Sequence, residues 1–269
     1  MKKILFICKY LSTNKNGFES RLSTLINFFN KNNYEVSAIT SSSSLKKVKF
    51  KKRYTHQKID DVNYYFVKED NNYSLYSLHR IISWIKFEIR VFNFNYNQIN
   101  FKPDIIYISS LSLFTILNGV FLKKKFKAKL VFEMRDFWPY FLYTTGKFSK
   151  LNPFIILLGI IEKYGIYHSD LIISLIPKIR QYLKYRGFSK KKTFASTFPI
   201  NKKFFIKTKT HKINLDNEYF NICYAGNFGF DNYLDDLLNL ISKVQNKLFV
   251  FHFFGDGSQK KILKKNLQI

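Results

Sequence analysis

Three ionisable residues in the middle of the chain have side chains that suit a hydroxylated, phosphate-bearing ligand. Residues 129–133 are predicted to form a buried strand that ends at Glu133, and Arg135 and Asp136 follow it closely. A carboxylate can orient a hydroxyl group, and an arginine can hold a phosphate through two parallel hydrogen bonds. A second interpretation stays open, in which Arg135 and Asp136 pair with each other and only shape the loop.

Two glycines near the end of the chain suit the close approach of backbone to a diphosphate. Gly226 and Gly229 join a predicted strand at 219–225 to a predicted helix at 232–245. Because glycine lacks a Cβ, backbone N–H groups here can approach an anion closely, and the positive end of the helix dipole favours negative charge. Glycines at this spacing also occur where a chain merely turns, and that interpretation stays open.

Strands and helices alternate along the whole sequence. Apolar runs predict strands, and apolar residues at helical spacing predict helices. The predicted strands are 4–8, 35–40, 62–67, 105–109, 129–133, 171–175, 219–225 and 248–254; the predicted helices are 18–30, 75–97, 113–122, 153–167, 232–245 and one from 258. This alternation predicts an α/β fold with mostly parallel, doubly wound sheets, whose ligands bind beyond the carboxyl ends of the strands.

A change in pattern divides the chain into two parts. Residues 186–218 lose the helical and strand periods and become rich in lysine, which is typical of a segment between domains. We therefore predict a complete Rossmann-like domain at 1–185, a linker at 186–218, and the beginning of a second, incomplete Rossmann-like domain at 219–269.

The net charge of +27 would attract the chain to polyanions, such as anionic lipid, nucleic acid or a diphosphate. An AT-rich coding sequence also produces many lysines, so the charge alone does not select a partner. No sequence signature of a nucleic-acid-binding module accompanies the charge, and we expect no specific nucleic-acid partner. No DxD motif or cluster of metal-ligating residues is present, so we expect neither a metal ion nor another cofactor.

The two cysteines and the longest apolar block indicate a cytoplasmic protein. Cys8 and Cys223 lie in separate strands that are both predicted to be buried, which provides no disulfide framework. The longest apolar block, at 154–161, is much shorter than the roughly 20 residues that a membrane span requires.

The predicted helix at 75–97 carries two apolar stripes. The first follows the helical period through Ile82, Ile85 and Ile89, and it is predicted to pack on the sheet. The second stripe comprises Trp84, Phe87 and Val91, and it lies beside basic residues that include Arg90. Such a stripe suits the boundary of an anionic membrane, so we predict that Trp84, Phe87 and Arg90 face the lipid. The alternative is a helix that is buried on two sides.

Five segments together resemble the retaining GT-B glycosyltransferases of family 4, in particular those that build bacterial surface polysaccharides. They are the first strand-loop-helix with Gly17, residues 132–139 (FEMRDFWP), 168–174 (HSDLIIS), 224–227 (YAGN) and 254–257 (FGDG). The resemblance covers nearly the whole chain, and it implies a GT-B-like fold of two Rossmann-like domains.

This resemblance also implies a function and its sites. The protein would transfer a sugar from a nucleotide-diphosphate donor to a saccharide or lipid-linked acceptor, at the inner face of the plasma membrane. The implied donor-binding residues are Gly226, Asn227, Gly229 and Gly255. The implied acceptor-binding residues are Gly17, Glu133, Arg135 and Asp136, and the catalytic residues stay unknown.

The chain departs from the family pattern at three places. Asn16 stands where many members have the first of two glycines, and Phe230 and Asp231 stand where many have a basic residue. The pair of glutamates that binds the donor in the family has no counterpart before Ile269. We therefore expect a C-terminally truncated chain.

Four other functions stay open. The chain is alternatively a noncatalytic subunit that presents acceptor or lipid to a partner chain with the rest of the donor domain, or an inactive gene fragment. A sugar-nucleotide epimerase with the same fold and a nucleic-acid-binding protein are further classes.

Overall fold

The computed structural model describes residues 1–13, 20–44, 50–69, 78–110, 112–144, 148–196, 218–229, 232–246 and 248–266. The chain divides into two compact units, Met1–Phe205 and Ile206–Ile269. Each unit is described by itself below.

The first unit is built on one eight-stranded sheet. Its strands are β1 (Lys2–Cys8), β2 (Tyr34–Ser41), β3 (Tyr54–Ile59), β4 (Val62–Val67), β5 (Ile105–Ser110), β6 (Lys129–Met134), β7 (Leu171–Ser174) and β8 (Thr193–Ala195). In space they lie in the order β3-β4-β2-β1-β5-β6-β7-β8. All neighbours are parallel except β3, which is antiparallel to β4. The predicted α/β fold with a large parallel sheet is confirmed.

Helices cover both faces of this sheet. They are α1 (Arg21–Lys31), α2 (Leu78–Phe92), α3 (Thr115–Phe126), α4 (Tyr140–Thr144), α5 (Pro153–His168) and α6 (Ile179–Tyr185). Side chains of α2, α3, α5 and α6 share a core with one face of the strands, and α1 packs on the other face. Because both faces of the central strands are covered, β1 is a continuous apolar run rather than an alternating one.

Two strands, β3 and β8, were missed by the sequence analysis. The hairpin of β3 and β4 turns at Asp60 and Asp61, whose φ angles are 48° and 63°. Left-handed turns of this kind usually contain glycine, so the two aspartates gave little signal. The other missed strand, β8, lies within the predicted linker at 186–218, and it extends the sheet of the first unit beyond residue 185.

A buried ion pair joins the carboxyl end of β1 to the segment after β4, and its lysine also bonds to α2. The ammonium group of Lys9, directly after β1, lies 2.6 Å from Oε1 of Glu69 and donates hydrogen bonds to both the carbonyl and the hydroxyl oxygen of Ser83. The hydroxyl of Ser41, at the end of β2, donates to the same carboxylate at 2.6 Å. Both charged side chains are almost fully buried. This network therefore fixes the ends of β1 and β2 against α2.

A second carboxylate joins α2 to α3. Glu88 of α2 accepts hydrogen bonds from the hydroxyl of Thr115 and from Nδ2 of Asn118, the latter at 2.7 Å. Asn118 also donates to the backbone carbonyl of Glu88. Burial raises the pKa of Glu88 to about 7. The two helices are thus held together through a carboxyl group whose charged form is destabilised.

The second unit contains a two-stranded parallel sheet and two helices. The strands are β9 (Phe220–Asn227) and β10 (Phe249–Asp256), and the helices are α7 (Leu234–Ile241) and α8 (Lys260–Asn266). Apolar side chains of both strands are exposed, among them Phe220 and Phe254. Cys223 is exposed as well, so the expectation that it is buried was wrong.

We expect Lys9→Met to lower the free energy of unfolding of the first unit by about 3–5 kcal/mol, because it leaves the Glu69 carboxylate buried and unpaired. Both tryptophans, Trp84 and Trp138, lie in this unit, so urea unfolding followed by tryptophan fluorescence measures it selectively. The matched control is Lys58→Met at an exposed lysine. A loss below about 1 kcal/mol for Lys9→Met would contradict a structural role for the pair.

A pH dependence follows from Glu88. Its pKa is raised in the folded state from 4.5 to about 7, so its contribution to stability is fully present below pH 4.5 and is lost as the pH rises through 7. We expect the stability of the wild type, relative to Glu88→Gln, to fall between pH 5 and pH 8. Urea unfolding of both proteins at several pH values measures this difference, which would be constant if the folded pKa were ordinary.

Candidate functional site

The first unit has one topological switch point. Neighbouring strands β1 and β5 are separated in the chain by β2, β3 and β4, because the chain builds one half of the sheet before it returns to build the other. Ligands of open α/β sheets bind outside the carboxyl ends of the strands at such a point. The side chains at the ends of β1, β5 and β6 therefore form the candidate site.

At this point a buried ion pair links β6 to α1. Glu133 of β6 is fully buried and pairs with the guanidinium of Arg21, the first residue of α1. Arg21 is itself 9% exposed, and the buried phenol of Tyr107, on β5, faces it. Burial raises the pKa of the Tyr107 hydroxyl. The sequence analysis missed Arg21, since nothing in its local pattern relates it to β6.

The prediction that Glu133 binds the acceptor is therefore wrong. The sequence analysis placed its side chain in the cleft beyond the strand, but the residue belongs to β6 and its side chain points to the sheet face that α1 covers. Its carboxylate is held by Arg21 and does not reach solvent. Glu133 instead fixes the beginning of α1 at the edge of the candidate site.

Two of the other predicted acceptor residues do lie at the carboxyl edge. Arg135 is half-buried and Asp136 is exposed, directly after β6. Arg135 is close enough for its positive charge to lower the pKa of Arg21 and to oppose the rise in the pKa of Cys8. Arg135 therefore lies near the ends of β1 and β6. Burial raises the pKa of Cys8 to about 11, which keeps the thiol protonated. Gly17 lies outside the described residues.

The predicted membrane-facing stripe of α2 is buried. Trp84 is 6% exposed and Phe87 is 0% exposed. The indole of Trp84 donates to the hydroxyl of Tyr10, and the guanidinium of half-buried Arg90 binds the carbonyl of Lys68. The prediction that these three residues face lipid was therefore wrong. Periodicity revealed two apolar stripes on this helix but not which of them packs on the sheet.

The other stripe of α2 is exposed, and exposed apolar side chains continue over the two neighbouring helices. The set comprises Ile82, Ile85, Ile89 and Phe92 of α2, Leu117 of α3, and Ile156, Leu157, Ile160, Tyr164 and Tyr167 of α5. We call it the outer apolar face. Phe92 contacts Phe121 of α3, and Gly165 lets α5 approach Ile116 of α3 closely. Exposed apolar surface on this scale marks an interaction site.

Helices α2, α3 and α5 carry more basic than acidic residues. The basic ones include Lys86, Lys123, Lys124, Lys125 and Lys163. Of their acidic residues, Glu88 bonds to α3 and Glu162 is fully buried. Among the described residues, no helix is long and apolar enough to span a membrane.

In the second unit, the predicted donor residues lie at the carboxyl ends of β9 and β10. Gly226 pairs with Gly255 across the two strands. A Cβ at Gly255 would lie 1.9 Å from the carbonyl oxygen of Gly226, so strand packing alone requires glycine there. Gly226 and Asn227 are exposed, whereas Gly229 is buried. The exposed backbone at the end of β9 is therefore the part of this group that a ligand can reach.

Helix α7 differs from its prediction at the amino end. It begins at Leu234 rather than at 232, and its first turn contains Asp235 and Asp236. The carboxylate of Asp235 accepts a hydrogen bond from Gln259. Two carboxylates already occupy the positive end of the helix dipole, so they oppose the binding of another anion at that end.

Comparisons of sequence identify no relative. No protein-family model matches the chain, and no curated protein matches it.

Comparisons of structure do find similar folds. Sucrose-phosphate synthase from Thermosynechococcus elongatus matches all of this chain and 67% of its own, with a TM-score of 0.71 and 11% identity. The catalytic domain of starch synthase IV from Arabidopsis thaliana, bound to ADP and acarbose, matches 100% of this chain and 72% of its own, with a TM-score of 0.67 and 11% identity.

A third structure, an E. coli trehalose-6-phosphate protein bound with UDP-2-fluoro glucose, matches 99% of this chain and 68% of its own, with a TM-score of 0.67 and 10% identity. The chain thus spans about two thirds of the length of these structures. At these low sequence identities, the similarity shows a shared fold and does not assign roles to individual residues of this chain. The chain has the fold of the GT-B glycosyltransferases.

Proposed function

We propose that the chain acts in a retaining glycosyltransferase of family 4, which moves a sugar from a nucleotide diphosphate to a lipid-linked saccharide during the synthesis of a cell-surface polysaccharide. The observation that carries the proposal is the match in fold over the whole chain to sucrose-phosphate synthase and starch synthase IV. Similar structures hold UDP-2-fluoro glucose and ADP, which supports a nucleotide-sugar donor. The surface-polysaccharide role and the lipid-linked acceptor rest on the sequence motifs.

The donor diphosphate lies, in this proposal, at the carboxyl end of β9. Gly226 and Asn227 expose their backbone there, and Gly255 lets β10 approach β9 closely. Buried Gly229 shapes the turn that follows. Backbone N–H groups rather than a metal ion stabilise the leaving diphosphate, since such preorganised donors are effective where negative charge develops.

The acceptor binds, in this proposal, beyond the carboxyl edge of the first unit. Arg135 and Asp136 orient hydroxyl groups of the acceptor, while Gly17 permits close approach of the first loop. Glu133 acts indirectly, because it fixes Arg21 and hence the beginning of α1.

The exposed strands of the second unit support a further part of the proposal. A parallel sheet is normally covered on both faces, yet Phe220, Ile222, Phe249 and Phe254 are exposed. We propose that additional polypeptide, in the same chain or a partner chain, covers β9 and β10 and completes the donor domain.

Donor binding can be tested by calorimetric titration with UDP, ADP, GDP and UDP-glucose. We expect one or more of them to bind, and Gly226→Val to weaken binding at least tenfold. An added Cβ would lie 2.8 Å from the hydroxyl of Tyr224, which donates to the carbonyl of Asn227, so the substitution disturbs the end of β9. The matched control is Ala225→Val, one residue earlier on the same exposed strand end. The titrations use the full chain. Absence of nucleotide binding would contradict the proposal, as would equal binding by Gly226→Val.

We also propose that the protein is peripheral at the inner face of the plasma membrane and contacts anionic lipid through the outer apolar face. The support is the combination of exposed isoleucines on α2 and α5 with basic residues on the same helices. A helix with an apolar face and a basic rim lies at the lipid headgroup boundary. Each cation near an anionic surface contributes about 1 kcal/mol, so the charge favours anionic over neutral lipid.

Vesicle flotation tests this attachment. We expect binding to vesicles that contain phosphatidylglycerol, weaker binding in high salt, and little binding to pure phosphatidylcholine. The double variant Ile85→Asn and Ile89→Asn should lower binding at least tenfold. Phe28→Asn, on exposed surface of α1 on the opposite face of the sheet, is the control. Equal binding by the double variant, or a dimer in solution that this variant dissociates, would contradict lipid contact.

A further inference from the structure

A pocket that the sequence analysis did not predict lies beyond the carboxyl ends of β6 and β7. Its volume is about 370 Å³, within the range of about 300–1,000 Å³ for small-molecule sites. Helix α4, which follows β6, forms one side, and α6, which follows β7, forms the other. The residues that line it are Phe137, Tyr140, Tyr143, Thr144, Lys150, Lys178, Gln181, Tyr182 and Tyr185. The pocket therefore lies on the edge of the sheet where ligands of this fold bind.

Aromatic rings form the walls of this pocket. Phe137 stacks on Tyr182 with a centroid distance of 3.9 Å and an interplanar angle of 2°. Tyr140 makes edge contacts with Tyr143, Tyr182 and Tyr185. Burial and a hydrogen bond with Tyr185 raise the pKa of the Tyr143 hydroxyl to about 12. Yet Tyr185 is 65% exposed, so these rings also present open surface toward solvent.

A buried carboxylate makes the base of the pocket rigid. The hydroxyl of Tyr182 donates to Glu162 of α5, which is fully buried. The Nη2 atom of Arg186 lies 2.5 Å from the other oxygen of that carboxylate, and it also donates a hydrogen bond to the carbonyl of Gly159. Tyr182 of α6 and Arg186, directly after α6, are thus both tied to α5. The walls are held in place before any ligand arrives, which lowers the entropic cost of binding.

The polar groups of the pocket are cationic or neutral. The ammonium group of Lys150 lies 5.2 Å from the centroid of Tyr143, and Lys178 precedes the first turn of α6. Thr144 and Gln181 add neutral hydrogen-bonding groups, and none of the described lining residues is acidic. Aromatic faces beside two lysines suit a ligand that has both a ring to stack and a negative charge.

We infer that this pocket binds the phosphorylated sugar at the head of the acceptor. The sugar ring stacks on Tyr140 and Tyr185, and Lys150 and Lys178 contact the phosphate. This inference rests on the proposed function, since that function supplies a saccharide acceptor with a phosphate. Lys150 lies three residues before α5, whose outer side belongs to the outer apolar face. A lipid chain attached to the phosphate therefore has apolar surface within reach.

Calorimetric titration of the full chain with glucose 1-phosphate tests the inference, with glucose, inorganic phosphate and UDP as comparison ligands. We expect glucose 1-phosphate to bind at least tenfold more tightly than glucose or phosphate. The double variant Lys150→Ala and Lys178→Ala should lose this advantage. Lys184→Ala, on α6 but outside the pocket lining, is the matched control.

Stacking is tested separately. Tyr185→Ala should weaken the binding of glucose 1-phosphate about fivefold and leave the binding of phosphate unchanged. The control is Tyr167→Ala, which removes an exposed tyrosine elsewhere. A farnesyl-diphosphate-linked glucose distinguishes the source of the ligand: tighter binding than glucose 1-phosphate identifies the lipid-linked acceptor, and equal binding identifies a free sugar phosphate.

Three results would overturn the inference. The first is that inorganic phosphate binds as tightly as glucose 1-phosphate. The second is that the two lysine substitutions have no effect on binding. The third is that UDP displaces glucose 1-phosphate from the pocket. Failure of the proposed function is a different result, namely no binding of any nucleotide or nucleotide sugar to the full chain. Nucleotide binding without glucose 1-phosphate binding would reject the pocket alone.

Discussion

At the carboxyl ends of the central strands, two buried ion pairs hold the first unit together where its ligands are expected. Lys9 is enclosed by Glu69 and Ser83, and Glu133 is enclosed by Arg21. Charges that are removed from water must be paired, so each pair constrains the two elements that carry its partners. The first pair fixes the end of β1 against the end of β4, and Lys9 also bonds to Ser83 of α2; the second pair fixes β6 against α1. The edge of the sheet is therefore shaped by charges that are buried and paired with each other.

Much of this fold could be read from the sequence, because buried parallel strands are continuous apolar runs and helices carry a repeated apolar stripe. The orientation of those elements could not. Helix α2 has two apolar stripes, and only packing shows that Trp84 and Phe87 face the sheet while Ile85 and Ile89 face outward. Glu133 was correctly placed at the end of a strand, but its burial depends on Arg21, which is 112 residues away in the chain. Periodicity describes one element at a time, whereas both errors concern partners from another element.

The proposed functions of the first unit converge on one region. The pocket between α4 and α6 opens at the carboxyl edge of the sheet, and α5 follows Lys150 with apolar side chains exposed on its outer side. A lipid-linked sugar phosphate has three chemically different parts, namely a ring, a charge and a chain, and the described residues offer stacking, cationic and apolar surface for them. The sequence did not reveal the pocket, because its tyrosines come from two separate segments and share no motif.

The central claim is that the carboxyl end of β9 receives the diphosphate of a nucleotide sugar. A crystal structure of the protein with bound UDP tests it most directly. The account predicts diphosphate density within hydrogen-bond distance of the backbone N–H groups of Asn227 or Gly229, since that of Phe228 donates to Asp256. Density for UDP at another place, with this backbone left in contact with solvent only, would contradict it.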